Sequence, residues 1–443
     1  MALENPNPPA QTSPLPERLP AAPAETQPSP ELWAGQPIDS PGVTEPKPQK
    51  KRILGIDLAR GFALIGMFTA HFGLDTSVEF ADPSTWGGLV NGRSSILFAI
   101  LAGVSLAIIT GRTSVYSGQK LADARVKILV RALCIFVLGE ILTSLNSYIA
   151  IILQSYAVLF VIALVCLRLR RRWLIAIALV WAIIGPLLAA VWEPLLEPFG
   201  LGVPMAELFI WGAYPVLTWI PYILIGLAIG RTDLTLRKNQ VFLVVLGSIF
   251  AVMGYTAVGP YGELSSSHGI TEEQFSQDQG SVPDKEIWKD FESMSEEELL
   301  ALEDSDFGMP SAGETIAATL AAWDTAEPHS NTPFEIVGSG GFAVAFLGLC
   351  LLIAPFTRLL LAPAIAMGTM SLTVYTLHVV TFRMVQDHGV MDGGLAIWPW
   401  LITIIAAGAF ALIWQNTLGR GPLERLLNRI LLTVTGVRSR SKH

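Results

Sequence analysis

Ten apolar stretches, each close to the length a helix needs to cross a bilayer, constrain this chain more than any other feature. They fall at 53–73, 94–110, 127–145, 148–167, 173–192, 213–230, 241–259, 336–356, 364–384 and 395–415. A hydrocarbon core about 30 Å thick takes about twenty helical residues. Only 15% of the 443 residues are charged, against about a quarter in soluble domains. The expected fold is therefore an all-α polytopic membrane protein with about ten transmembrane helices.

The connecting segments carry an orientation signal, because cytoplasmic loops accumulate Lys and Arg. One alternating set holds Lys50, Lys51 and Arg52, then Arg112, Lys120, Arg125 and Lys127, then Arg168, Arg170, Arg171 and Arg172, then Arg231, Arg237 and Lys238, then Arg358, and finally Arg420, Arg425 and Arg429. The other set is nearly free of positive charge and contains Glu193, Glu197, Glu207, Asp387 and Asp392. An even helix count with both termini cytoplasmic follows.

The expected organisation is a disordered tail over 1–46, rich in Pro, Ala and Glu; helices one to seven over 47–259; an acidic extracytoplasmic insertion over 260–335; helices eight to ten over 336–430; and a basic cytoplasmic tail over 431–443. The insertion holds eighteen Asp or Glu but only Lys285 and Lys289 among basic residues. Ser295–Asp304 opens with an N-cap residue and acids in its first turn, and Gly313–Trp323 has the pattern of a second short amphipathic helix. The acid spacing does not fit an EF-hand. Cys134, Cys166 and Cys350 lie inside apolar runs, so neither a disulfide framework nor a metal site is expected. The chain has no Gly-rich phosphate loop following a strand, and no nucleic acid partner is expected.

Chemistry is sought where ionisable groups sit inside apolar runs, since each costs roughly 2.5–3.5 kcal/mol at a helix centre on insertion scales. The first run contains Asp57, Arg60 and His71. Asp57 and Arg60 are one turn apart. Arg60 and His71 are three turns apart, return to within about 20° of the same face, and are separated by about 16 Å along the axis. One stripe thus crosses much of the membrane. Gly61 and Gly66 would let a neighbouring helix approach and bury it. A buried imidazole is suited to accept a proton from a hydroxyl or amine nucleophile. The alternative is an interfacial Asp57–Arg60 ion pair with His71 snorkelling outward.

The residues Asp57-x-x-Arg60-Gly61, with His71 eleven positions after Arg60, resemble the first helix of the transmembrane acyltransferase superfamily. Asn91-Gly92-Arg93 through Phe98, Gly103 and Ser105 is similar to the matching segment of its YeiB-like and heparan-alpha-glucosaminide N-acetyltransferase-like branches. Met367-Gly368-Thr369-Met370-Ser371-Leu372-Thr373-Val374-Tyr375 resembles a helix of the YeiB-like proteins. The resemblance covers 52 to about 430. It implies that an acyl group, acetyl from acetyl-CoA in the simplest case, passes from a cytoplasmic acyl-CoA co-substrate to an extracytoplasmic glycan or glycolipid of the cell envelope. It further implies catalytic roles for Arg60 and His71, with Asp57 orienting them. The heparan-type enzymes carry a histidine in the first outer loop, whereas Leu74–Val90 contains none.

Within this reading Arg168, Arg170, Arg171 and Arg172 are candidates for the CoA phosphates. Arg93, Tyr375, His378 and Arg383, toward the outer ends of their helices, are candidates for the acceptor. Glu140 needs a partner, for which Arg131 and Arg60 are candidates, and Asn146 and Gln154 suit interhelical hydrogen bonds. The expected location is a plasma membrane, bacterial by the tail composition, with membrane lipid as a partner. The oligomeric state is open. A lipid transporter or flippase using the same polar stripe, and a non-catalytic envelope assembly protein, are the alternatives.

Overall fold

The structure is a computed structural model that describes residues 52–72, 90–147, 149–196, 206–257, 325–387 and 397–436, together with Gly313, Ala317, Thr319, Leu320 and Trp323. The expected tail 1–46, the outer loop before Val90, the Ser295–Asp304 helix and most of the acidic insertion lie outside the described residues. Of the proposed Gly313–Trp323 helix, Gly313, Ala317, Thr319 and Leu320 are helical.

Every expected apolar run is helical. In chain order the helices are α1 Leu54–His71, α2 Arg93–Ile109, α3 Gly118–Thr143, α4 Leu153–Cys166, α5 Arg171–Leu196, α6 Val216–Gly230, α7 Arg237–Thr256, α8 Pro333–Ile353, α9 Ala362–Thr369, α10 Ser371–Asp387, α11 Ile397–Thr417 and α12 Pro422–Val434. A five-residue π-helical turn, Glu207–Trp211, precedes α6. Antiparallel packing gives the bundle two ends. One, holding Arg52, the α4–α5 turn and the α6–α7 turn, is the basic end; the other, where α1 finishes and α2 begins, is the far end.

The helices differ in length more than the sequence suggests. Four are long and apolar enough to cross a membrane, over 171–189, 237–256, 333–353 and 398–417, and α9 with α10 makes a fifth if the bent pair is one span. Helices α2, α4 and α6 are shorter apolar helices. The reason is position: α6 is buried along almost its whole length, whereas α7 buries only Gln240, Leu243, Gly247 and Gly254 and turns Val241, Phe242, Val245, Ile249 and Val252 outward. Outward apolar faces of this extent suit lipid, and the protein is a membrane protein.

Small residues set the helix contacts, as expected where lipid supplies no hydrophobic drive for association. Gly247 and Gly254 of α7 abut Gly341, Ala345 and Gly338 of α8, and Gly103 of α2 meets Gly226 of α6. Helix α1 is central, packing on α2, α8, α9, α10 and α11. Its Gly61 meets the Ala364 backbone, its Gly66 meets Ser94, and Gly368 of α9 lies on the Asp57 backbone.

Four boundaries correct the sequence reading. The run 364–384 is not one helix: it bends by 95° between α9 and α10, at Met370 with φ −128° and ψ 43°. The new N-terminus is capped by Glu424, whose carboxylate accepts from the backbone of Leu372 (2.8 Å) and Thr373 (3.2 Å) and from the Thr373 hydroxyl (2.6 Å). The tail expected from 431 begins later, because 431–434 complete α12. Helix α3 starts at Gly118 rather than 127, its first turns tied by Gln119 donating to Asp123 (2.9 Å), and α4 starts at Leu153 after the left-handed Asn146 (φ 50°).

Candidate active site

Helix α1 carries two polar groups, one toward each end. At the basic end Asp57, 2% exposed, lies between two guanidinium groups: Arg52 Nε is 2.7 Å from Oδ2 and Arg60 Nη1 is 3.1 Å from Oδ1. Arg60 Nη2 also donates to Ser105 Oγ of α2 (2.6 Å), which donates to the Leu101 carbonyl (2.7 Å). A second neighbour of Arg60 is Arg131 of α3, which interacts electrostatically with Arg60 and with Glu424. Three arginines and two carboxylates thus lie within electrostatic reach of one another, for a formal surplus of one positive charge.

Toward the far end His71 Nδ1 is 2.7 Å from His378 Nε2 of α10. One of those nitrogens carries the proton and the other accepts it. The rings are nearly parallel, with centroids 5.0 Å apart and an interplanar angle of 11°, and Phe68 stacks on His378 at 4.1 Å. Phe72 and Phe382 close the group edge to face, and Trp400 Nε1 donates to Thr69 Oγ1 (3.1 Å), fixing α11 against α1. His378 is 2% exposed and its Nδ1 is buried with no hydrogen-bond partner among the described residues. His71 is partly exposed. It therefore does not snorkel free of the protein; it is held by an aromatic cage. Two imidazolium charges cannot both persist at this spacing, so the pair holds at most one extra proton.

Along α1 the polar side chains meet two different neighbours: Arg60 turns to α2 and His71 to α10. The other candidates separate. Arg93 Nε donates to Tyr255 Oη (2.6 Å), itself 2.9 Å from Ser339 Oγ, and its guanidinium lies over the Tyr255 and Phe342 rings; these contacts tie α2 to α7 and α8. Arg383 Nε donates to the Leu145 carbonyl (3.0 Å) at the end of α3. Tyr375 is buried one turn before His378, its hydroxyl beside the Ile152 backbone. Arg168, Arg170, Arg171 and Arg172 lie at the α4–α5 turn on the basic end, all exposed. The carbonyls of that turn, Leu167 and Leu169, accept from Arg231. Glu140 pairs with neither Arg131 nor Arg60 and instead accepts from Gln154 (3.4 Å) across the α3–α4 hairpin, because one face of α3 is committed to α4.

Residues 52–258, from α1 through α7, match the family model described as heparan-alpha-glucosaminide N-acetyltransferase, catalytic. Over that region the chain is similar to that acyltransferase family. No curated protein and no solved structure matches the chain. The matched region contains Asp57, Arg60, His71 and Ser105, and it stops before α8, so the partner of His71 comes from outside it. Two participants carry no signal in sequence. Arg52 reads as one more retained loop charge, and Glu424 sits on an amphipathic segment far from the apolar runs.

Proposed function

We propose that the protein is a membrane-embedded acyltransferase that moves an acyl group, acetyl in the simplest case, from cytoplasmic acyl-CoA to a hydroxyl or amine of an extracytoplasmic envelope glycan or glycolipid. The observation that carries this reading is the His71–His378 pair, held about 16 Å along α1 from the Arg52–Asp57–Arg60 group. A general base and a cationic binding group would then sit at opposite ends of one helix. An extended phosphopantetheine arm is long enough to join them.

In this mechanism the arginines of the basic end, Arg60 and Arg131 with Arg52, hold the CoA phosphates. His71 accepts the proton of the acceptor O–H or N–H as that atom attacks the thioester carbonyl. The C–S bond breaks, the acyl group stays on the acceptor, and the CoA thiolate takes the proton back from His71. His378 receives the Nδ1–H of the imidazolium and disperses its charge, while the Phe68, Phe72 and Phe382 cage limits water. One proton transfer of this kind contributes about 10²- to 10⁴-fold. The proposed orientation places the basic end in the cytoplasm of a bacterial plasma membrane, with about ten crossings, both termini inside and the acidic insertion outside.

The transporter reading draws on the broken α9–α10 segment, since discontinuous helices frame many transport sites. A transporter of that design has a matching break in its other half, and α9–α10 is the one bent pair among the described residues.

Acyl transfer by the purified protein in nanodiscs tests the proposal, by following CoA release from acetyl-CoA with an envelope extract as acceptor. Wild type should release CoA, and His71→Ala, folded by size-exclusion chromatography, should not. Absence of release with acetyl, succinyl and longer donors removes the enzyme reading.

A further inference from the structure

A cavity of about 330 Å³ lies between α5, α6, α7 and α8, well away from the histidine pair. Its walls are apolar, with Ala178, Ala182, Ile225, Ile229, Leu246 and Val344 among them. Its polar lining gathers at the basic end, where Arg171, Thr232 and Asn239 meet, and Tyr222 adds a ring deeper in. Leu179 of α5 and Phe242 of α7 also line it and are 45% and 53% exposed, so the mouth opens sideways between two helices whose outer faces are apolar. Arg171 to Ala182 along α5, and Asn239 to Phe250 along α7, each span about 16 Å. An extended alkyl chain lying along the cleft would be held over that whole length.

We propose that this cleft is a binding site for one anionic phospholipid, with an acyl chain between α5 and α7 and its phosphate at Arg171. The wall chemistry suits an alkyl chain and leaves water without partners along most of the depth. The mouth faces the bilayer, so a chain enters laterally without crossing a polar barrier. Charge complementarity selects the headgroup. Arg171 has no ion-pair partner among the described residues, and Arg168, Arg170, Arg172, Arg237 and Lys238 surround the same end of α5 and α7. Asp233 is the one acid of the α6–α7 turn. Its Oδ1 is occupied by the Thr235 hydroxyl (2.6 Å) and backbone N–H (3.0 Å), which hold its carboxyl below the usual carboxylate range.

An acyl-CoA chain is a poorer occupant. Its thioester would stay at the basic end, while His71 lies toward the far end with α2 and α8 intervening. The proposed mechanism holds the CoA phosphates at Arg52, Arg60 and Arg131, so the lipid site shares no residue with it.

Native mass spectrometry on the full-length protein tests it, with palmitoyl-oleoyl phosphatidylglycerol and the matching phosphatidylcholine as probes. Wild type should retain one phosphatidylglycerol under activation that strips phosphatidylcholine, and added inorganic phosphate should not displace it. Arg171→Ala should lower retention about fivefold, the effect of one basic residue at an anionic surface. Leu246→Trp, which fills the cleft from its partly exposed wall, should abolish retention without changing the melting temperature; Leu246→Phe replaces it if the tryptophan variant does not fold. Equal retention of both lipids, displacement by phosphate, or retention unchanged in the filled variant would overturn the proposal.

Discussion

Replacing Gly368 by alanine should separate α9 from α1 and destabilise the whole basic end. A Cβ at Gly368 falls on the Asp57 carbonyl oxygen, and lies 2.7 Å from the Asp57 carbonyl carbon and 2.9 Å from the Gly61 nitrogen. Carbon contacts are relaxed at about 3.5–4.0 Å, so the helices must part by more than about 1 Å, and a gap of that size forfeits about half or more of each dispersion contact along the seam. Every atom in the way is backbone, so no side chain can rotate to relieve the clash. Overpacking of this kind costs about 1–3 kcal/mol, and the lost contacts along α1–α9 bring the expected total to about 3 kcal/mol. For a protein of this size that corresponds to a fall in melting temperature of roughly 3–5 °C. Fluorescence-detected size-exclusion chromatography after a heat step reads the shift in detergent. Gly340→Ala is the control, because its Cβ meets only the Tyr222 ring edge at 3.3 Å and should move the midpoint little. If Gly368→Ala melts with wild type, α1 and α9 are not in backbone contact and the placement of the Asp57 group fails with it.

Other outcomes follow from the same contacts. His378→Leu removes the acceptor for His71 and should lower CoA release about tenfold, the upper range for one neutral hydrogen bond, against a loss of 10²-fold or more in His71→Ala; equal activity of His378→Leu and wild type in the nanodisc assay would exclude a role for the pair. Ser105→Ala leaves Arg60 Nη2 without its α2 acceptor and should cost about 1–3 kcal/mol, seen as a lower melting temperature that Ser105→Thr recovers. Glu424→Ala uncaps α10 and should cost about 2 kcal/mol, with faster hydrogen exchange at Leu372 and Thr373; unchanged exchange there would contradict the cap.

Much of the architecture was legible because a spanning helix writes itself as a continuous apolar run, and each of the ten runs is helical. The bend at Met370 was not legible for the same reason: hydropathy is a scalar, and Ala364 through Val374 stays apolar enough to pass through a change of direction. Its cause lies elsewhere in the chain, in Glu424, and a cap contributed across about fifty residues leaves no local pattern. Helix α12 escaped because its Leu423, Leu426, Leu427, Ile430 and Leu431 alternate with Glu424, Arg425, Asn428 and Arg429, the periodicity of a helix lying on a surface rather than crossing it. At the site, Asp57, Arg60, His71 and His378 each stood out as polar groups in apolar sequence. That His71 and His378 meet depends on α10 packing against α1, which periodicity does not encode. Arg93 stood out on the same ground, and its contact with Tyr255 ties α2 to α7, a packing role that the sequence does not show.

The cap on α10 has a mechanical consequence. A helix anchored at one end has a fixed register, so the depth of His378 in the bilayer is measured from Glu424, about seven residues and 10 Å below it. Helix α12, which supplies Glu424, is an amphipathic segment touching α3 and α10 with only Leu427 buried. Whatever shifts it, a change in surface charge of the lipid or a fusion placed against its exposed Leu426 and Val434, acts as a ruler sliding under the far histidine. The height of the histidine pair toward the far end would then be set by an adhesive contact at the basic end.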